Sequence, residues 1–159
     1  MVRIFYPELF KGNSDLVDKS KSLGKRVYEF SEFLVNIVGV KDVGASYHGT
    51  VAYHPSCHLL REIGVQSAPQ TLLRNIKGIE LKELEGKDQC CGFGGSFSVK
   101  YPHISNAILR QKMDSIRDSG ASVLVANDSG CLMHIGGGLK RNGITTQALH
   151  IAELLSMKE

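Results

Sequence analysis

Several functions are ruled out by what this chain lacks. Four cysteines in 159 residues are too few for a disulfide-stapled scaffold. No apolar run approaches the length of a membrane span. The opening residues Met1 to Glu8 carry no apolar core of signal-peptide length. Neither sign of charge dominates: 19 Lys and Arg face 16 Asp and Glu, for a net charge of +3. The densest basic cluster, Lys19, Lys21, Lys25 and Arg26, has no interleaved aromatics. It reads as the solvated face of a helix, which argues against a nucleic-acid partner. The glycine-rich stretches lack the lysine of a P-loop and the spacing of a dinucleotide fingerprint. No arginine stands out as a substrate clamp, and no hydride-transfer apparatus is visible. The expected setting is a reducing cytoplasm, where clustered cysteines serve as metal or redox ligands rather than staples.

The four cysteines fall in the order Cys57, Cys90-Cys91, Cys131, with 32 residues between the first two and 39 between Cys91 and Cys131. That is one thiol or thiol pair per α/β-sized unit. Cys57 and Cys131 each open a helix-like segment, and the adjacent pair runs into the turn Gly92-Phe93-Gly94-Gly95.

An apolar fraction of 42% over 159 residues suffices for one core of ordinary size. Residues 14 to 38 carry the longest helical pattern, with Leu16, Leu23, Val27, Phe30, Leu34 and Ile37 as its stripe. Asn13 or Ser14 caps its start and Gly39 ends it. Strands are expected at Thr50 to Tyr53, Ile79 to Leu84, Ser122 to Ala126 and Ile144 to Leu149. Helical segments follow Cys57, begin at Pro69, run from Pro102 to Gly120, follow Cys131, and close the chain at Ile151 to Leu155. This alternation predicts an α/β fold: a short parallel sheet flanked by helices, preceded by a long N-terminal helix. Residues 1–45 read as a helical extension and connector, and 46–159 as the cysteine-bearing domain. Every cysteine follows an expected strand, and the loops after parallel strands share one edge of the sheet. The four thiols are therefore expected to converge.

Three readings of such a cluster compete. A lone cysteine is usually a small core residue, but four in post-strand loops beside glycine, serine or proline are not explained that way. A structural zinc ion takes four ligands in a tetrahedron, although an adjacent pair is awkward for one small ion. An iron–sulfur cluster offers several attachment points, so both Cys90 and Cys91 find a place. Gly92, Gly94 and Gly95 would then let the backbone approach and aim N–H groups at sulfur. Gly94 or Gly95 is expected in a conformation closed to other residues. A thiol–disulfide enzyme is the weakest reading, because the Cys-x-x-Cys spacing is absent. His54 and His58 flank Cys57, as ligands or as hydrogen-bonding partners of its loop. Gly136 to Gly138 inside a helical pattern point to close helix packing.

The segments Tyr53-His54-Pro55-Ser56-Cys57-His58-Leu59-Leu60-Arg61, Cys90-Cys91-Gly92-Phe93-Gly94-Gly95-Ser96-Phe97-Ser98 and Asp128-Ser129-Gly130-Cys131-Leu132-Met133-His134-Ile135-Gly136-Gly137 resemble the cysteine-rich CCG domain. That domain occurs in heterodisulfide reductases and in the iron–sulfur subunits of glycolate- and glycerol-3-phosphate-oxidising enzymes. The likeness covers nearly the whole chain and is nearest to the family's lactate-utilisation branch. It implies an iron–sulfur cluster, of the 4Fe–4S type, held by Cys57, Cys90, Cys91 and Cys131. It further implies an electron-transfer subunit of a cytoplasmic L-lactate-oxidising complex, with other subunits as partners. A zinc-binding structural or assembly module is the alternative. The fuller family pattern ends in Cys-x-x-Cys, whereas His134 stands here at the last cysteine's place as a further candidate ligand. The family usually carries two such domains. One is present, which implies a chain shortened at its N-terminus and apolar surface left uncovered around Phe5, Phe10 and the first helical turns. Self-association, or a partner over that surface, is the corresponding expectation.

Overall fold

In a computed structural model of the chain, which describes residues 1–158, a four-stranded sheet forms the centre. Its strands are β1 (Ser46–His54), β2 (Lys77–Lys82), β3 (Val123–Ala126) and β4 (Gln147–His150). Their spatial order is β2-β1-β3-β4, and every neighbouring pair is parallel. Helices precede and connect them: α1 (Phe5–Leu9), α2 (Ser14–Gly24), α3 (Phe30–Glu32), α4 (Ser67–Arg74), α5 (Ser96–Lys100), α6 (Pro102–Asp118), α7 (Ser129–Arg141) and α8 (Ile151–Leu155). The expected α/β class with a short parallel sheet is thus present.

The central strands are buried on both faces, as parallel strands under helical crossovers must be. Alternation then assigns each side chain to one face. Val51, Val123 and Val125 pack with Leu72 and Leu73 of α4 and with Ile151 and Leu154 of α8. Ala52 and Leu124 face the other way, toward Leu109, Met113 and Ile116 of α6 and Ile135 and Leu139 of α7. His54, two residues beyond Ala52, shares that second face by the same alternation. The chain leaves β1 toward β2 on one side and returns across it to β3 on the other. The ends of β1 and β3, in register at His54 and Ala126, therefore flank the topological switch point, the usual ligand crevice of an open parallel sheet.

The single long helix expected over residues 14 to 38 is divided in two. Helix α2 stops at Gly24, where an added Cβ would lie 3.3 Å from the Arg3 Cα. Glu29 then takes an extended conformation, and its carboxylate accepts hydrogen bonds from the Ser31 and Glu32 amides. The Glu32 carboxylate in turn accepts a hydrogen bond from the Glu29 amide, completing a capping box. Glutamate is a good helix former and an uncommon cap, so the periodicity alone ran through the break. After α3 the helix continues as a π-type turn, Phe33–Ile37. The other difference at this end concerns β1, which begins at Ser46, ahead of the strand expected to start at Thr50. Its first residues pair with the edge strand β2 through an irregular register between Ser46 and Gly49.

The glycine run of α7 divides by function. A Cβ on Gly138 would come within 2.9 Å of both Leu109 Cδ2 and Met113 Sδ, whereas one on Gly137 would meet only the Arg141 guanidinium, at 3.5 Å and beyond. Close packing of α6 on α7 therefore requires Gly138 alone. Gly137→Ala should raise the thermal midpoint, by up to about 1 kcal/mol of stability through helix propensity. Gly138→Val should lower it, by about 1–3 kcal/mol through overpacking. Thermal denaturation followed by circular dichroism checks both.

Candidate metal centre

Each thiol is set in place by the element that follows or supports it. Cys57 leads into a π-type turn, His58–Ile63, whose C-terminal Gly64 is left-handed (φ +72°). Cys131 lies in the first turn of α7, where the capping carboxylate of Asp128 accepts the Cys131 N–H at 2.9 Å. Cys90 and Cys91 sit in the crossover from β2 to α5, which three side chains of α6 hold against the core. Ser105 Oγ donates to the Gly92 carbonyl at 2.8 Å, Lys112 Nζ to Gly86 at 2.7 Å and Ser115 Oγ to Glu85 at 2.5 Å.

The turn after the pair demands glycine. Gly92, Gly94 and Gly95 all have positive φ, at 90°, 53° and 59°. A Cβ on Gly92 would approach the Ser105 carbonyl oxygen to 2.7 Å. The chain conformation at Gly94 and Gly95 is the one expected, and Gly92 carries the tighter steric limit.

The four sulfurs gather as two pairs. Cys57 Sγ and Cys90 Sγ are 3.9 Å apart, both half-buried. Cys91 Sγ and Cys131 Sγ are 3.1 Å apart, both buried. Cys57 adds to the negative field at Cys131 and Cys91 to that at Cys57, so the pairs belong to one electrostatic centre. The adjacent cysteines are thereby divided, one to each pair.

A fifth donor completes the inner pair. His54 is 0% exposed, and a ring nitrogen of it lies with Cys91 Sγ and Cys131 Sγ in a group whose donor atoms are all within 4.8 Å of one another. Neither of its ring nitrogens has a hydrogen-bond partner. A buried polar atom left unpaired costs about 1–3 kcal/mol, which a ligand bond would offset. The other candidate histidines are engaged elsewhere. His58 Nδ1 pairs with Glu62 at 2.7 Å. His134 Nε2 lies 3.4 Å from Ser105 Oγ, and its ring stands 5.6 Å from that of Phe93. His134 is outside the three-donor group, although Cys91 acts on it electrostatically.

The local field favours one thiolate in the inner pair. A hydrogen bond from Cys131 draws Cys91 down to about 4 against the opposing effect of burial, with help from the His54 ring and the Phe93 amide. Cys131, which keeps the shared proton, is pushed up by that bond and by burial. Burial and the neighbouring Cys90 push Cys57 up as well, while the His58 amide acts in the opposite sense. The Gly92 N–H donates to Cys90 Sγ at 3.3 Å. Amides at His58, Gly92 and Phe93 are thus aimed at sulfur. A buried ammonium also acts on the centre: Lys112 is 1% exposed. Burial lowers its pKa, while Asp88 and the thiols of Cys91, Cys90 and Cys131 hold it up. Lys112 falls on the apolar stripe of α6 between Ile108 and Ile116, and that position was the sequence signal for its burial.

Soft thiolates with an imidazole suit zinc or iron–sulfur chemistry rather than the hard, oxygen-loving cations. The donor set therefore fits the group that the cysteine pattern implies.

Residues 51–136 match the family model described as CCG, cysteine-rich domain. The chain is 45% identical over 151 residues to lactate utilization protein A of Oceanobacillus iheyensis, covering 95% of this chain and 62% of that protein. It is 44% identical over 153 residues to the protein of that name from Lysinibacillus sphaericus, covering 96% of this chain and 67% of the relative. For the Bacillus subtilis protein the figures are 44% over 153 residues, 96% and 64%. The chain thus spans about two thirds or less of the length of these relatives.

The paired thiols set a pH dependence. Between about 4, the value for Cys91, and the ordinary thiol range, the folded pair holds one proton while the unfolded chain holds two. The unfolded state then binds more protons, so stability rises with pH across that window. The reduced, metal-free chain should show the ultraviolet absorbance of one thiolate well below the ordinary thiol range. Cys91→Ser should abolish it and Cys57→Ser should leave it. Absorbance that appears only in the ordinary range would mean the pair is not poised in this way.

Proposed function

This chain belongs to the cysteine-rich CCG domain family, and we propose that it is an iron–sulfur electron-transfer part of an L-lactate-oxidising complex. The observation that carries the reading is the convergence of Cys57, Cys90, Cys91 and Cys131 at the switch point of the sheet. The relatives' name, lactate utilization protein A, supports lactate utilisation as the wider role.

In this reading the four thiolates hold the centre. A 4Fe–4S cluster, when bound, supplies one-electron chemistry that protein side chains do not have. The chain's own part is geometric and electrostatic. Gly92, Gly94 and Gly95 bring the backbone close to the sulfurs. The amides of His58, Gly92 and Phe93 stabilise negative charge on them. Lys112 of α6 opposes the accumulated thiolate charge, and the apolar shell of Leu109, Ile135 and Phe93 limits water. Lactate itself binds on another subunit of the complex, in keeping with the lack of a substrate clamp in this sequence. Four free thiols accord with a reducing, cytoplasmic setting. Among the described residues no helix is long and apolar enough to cross a membrane.

Contact with other subunits, or with a second copy, is the role assigned to the uncovered apolar side chains at the N-terminal end. Phe5, Leu9, Leu16, Leu23 and Phe33 are all exposed, Leu9 to 72%, whereas Phe10, expected to be uncovered with Phe5, is half-buried. A contiguous apolar patch of more than a few hundred Å² usually marks an interface.

One observation favours a second reading. The compact group of His54, Cys91 and Cys131 is of a size that a single small ion fills, and zinc in a structural module is the natural occupant. Anaerobic purification with metal and sulfide analysis decides between them. Iron with acid-labile sulfide in a brown protein is the expected result. Stoichiometric zinc in a colourless protein would replace the electron-transfer reading with the structural one.

A further inference from the structure

We propose that His54 is itself a metal ligand, binding through one imidazole nitrogen beside Cys91 and Cys131, and that it takes the place for which sequence spacing nominated His134. This rests on the reading of the thiol cluster as a metal centre. It names a donor that the cysteine pattern does not contain.

Three observations converge. His54 ends β1 on the face that Ala52 shares with α6 and α7, so its ring points into the core that contains Cys91 and Cys131 rather than toward solvent. Its donor atom lies within 4.8 Å of both sulfurs. Both ring nitrogens are buried without a hydrogen-bond partner, in a fold where Asn127 and Ala152 engage the His150 ring and Glu62 that of His58. A histidine kept only for packing would be expected to satisfy at least one nitrogen. Here neither is committed to a backbone carbonyl, so a metal ion is free to set the tautomer. His134 has neither property: it is half-buried, lies near Ser105 and packs at a tilt against the Phe93 ring.

The chemical consequence concerns charge. Each thiolate ligand brings one negative charge, and a neutral imidazole brings none. Replacing a thiolate by imidazole raises the reduction potential of an iron–sulfur centre. A histidine at this place therefore makes the centre a better electron acceptor than an all-thiolate set in the same pocket.

Cobalt(II) is the probe, added alone to the full, reduced, metal-free chain under anaerobic conditions. Affinity is read by competition with a chelator, and ligand identity from the visible spectrum and the histidine nitrogen resonances of the zinc-loaded chain. His54→Ala should weaken binding by tenfold or more on the scale of lost ligand-sphere groups, about 10–100-fold. His134→Ala should leave affinity nearly unchanged. His54→Cys should restore tight binding and strengthen the sulfur-to-cobalt charge-transfer band, and it decides the matter if His54→Ala fails to fold. One imidazole nitrogen should shift on zinc loading, and that shift should vanish in His54→Cys. Unchanged affinity and spectrum in His54→Ala, with binding lost in Cys91→Ser, would overturn the histidine ligand and leave the thiolate centre standing. A wild-type chain that binds no cobalt also overturns the inference, and one that takes up neither cobalt nor iron with sulfide overturns the metal-centre reading as well.

Discussion

Four thiols and an unpaired imidazole lie together at the one edge of the sheet where the chain reverses its winding, and this charge-bearing cluster constrains everything around it. Bringing thiolates together out of water is unfavourable unless cations or aimed dipoles oppose their charge. The fold supplies both. Amides at His58, Gly92 and Phe93 point at sulfur, and the buried ammonium of Lys112 stands behind the loop. The proton shared by Cys91 and Cys131 lowers the charge further. What remains uncompensated is the His54 ring, whose two nitrogens have no hydrogen-bond partner and whose polar influence falls on the Cys91 sulfur. A metal ion would together relieve the thiolate repulsion and take up one of the two imidazole nitrogens.

The loops that deliver these groups depend on α6. Ser105, Lys112 and Ser115 each reach a backbone carbonyl of the crossover before or after the cysteine pair. Those bonds keep that crossover from sagging away from the sheet edge. Helix α6 is in turn seated by its close approach to α7 at Gly138, and α7 carries Cys131. The side chains that pack the helices thus also set the distances between sulfurs. On the opposite side, Asn127 at the end of β3 bonds Glu29 and accepts from Tyr53. That ties the N-terminal helices to the same edge.

Much of this was legible in the residues. The alternation of strand and helix predicted the parallel sheet, and α8 and β3 fall where the apolar pattern put them, β3 within one residue. Apolar periodicity reports burial, and those elements are buried. It does not report caps, so the break at Glu29, made by a glutamate in a capping box, was invisible to it. The polar start of β1 was missed because edge pairing with β2 rests on backbone bonds rather than on apolar side chains. At the site the cysteines and glycines announced themselves through chemistry and spacing. His54 was nominated only as a neighbour of Cys57, since sequence does not show which way a strand's last residue points until the faces are assigned. Lys112 was hidden for a simpler reason: lysine on an apolar stripe is ordinarily read as reaching solvent, and here it is held inside by the Gly86 carbonyl.

The central claim is that this edge is a metal centre built by the chain's own thiolates. Metal-edge X-ray absorption on the anaerobically purified chain tests it most directly. The account predicts a sulfur-dominated first shell, at about 2.3 Å, with a lighter nitrogen scatterer that disappears in His54→Cys. A first shell of oxygen and nitrogen alone, or a metal whose environment is unchanged when Cys91 and Cys131 are both replaced by serine, would contradict it.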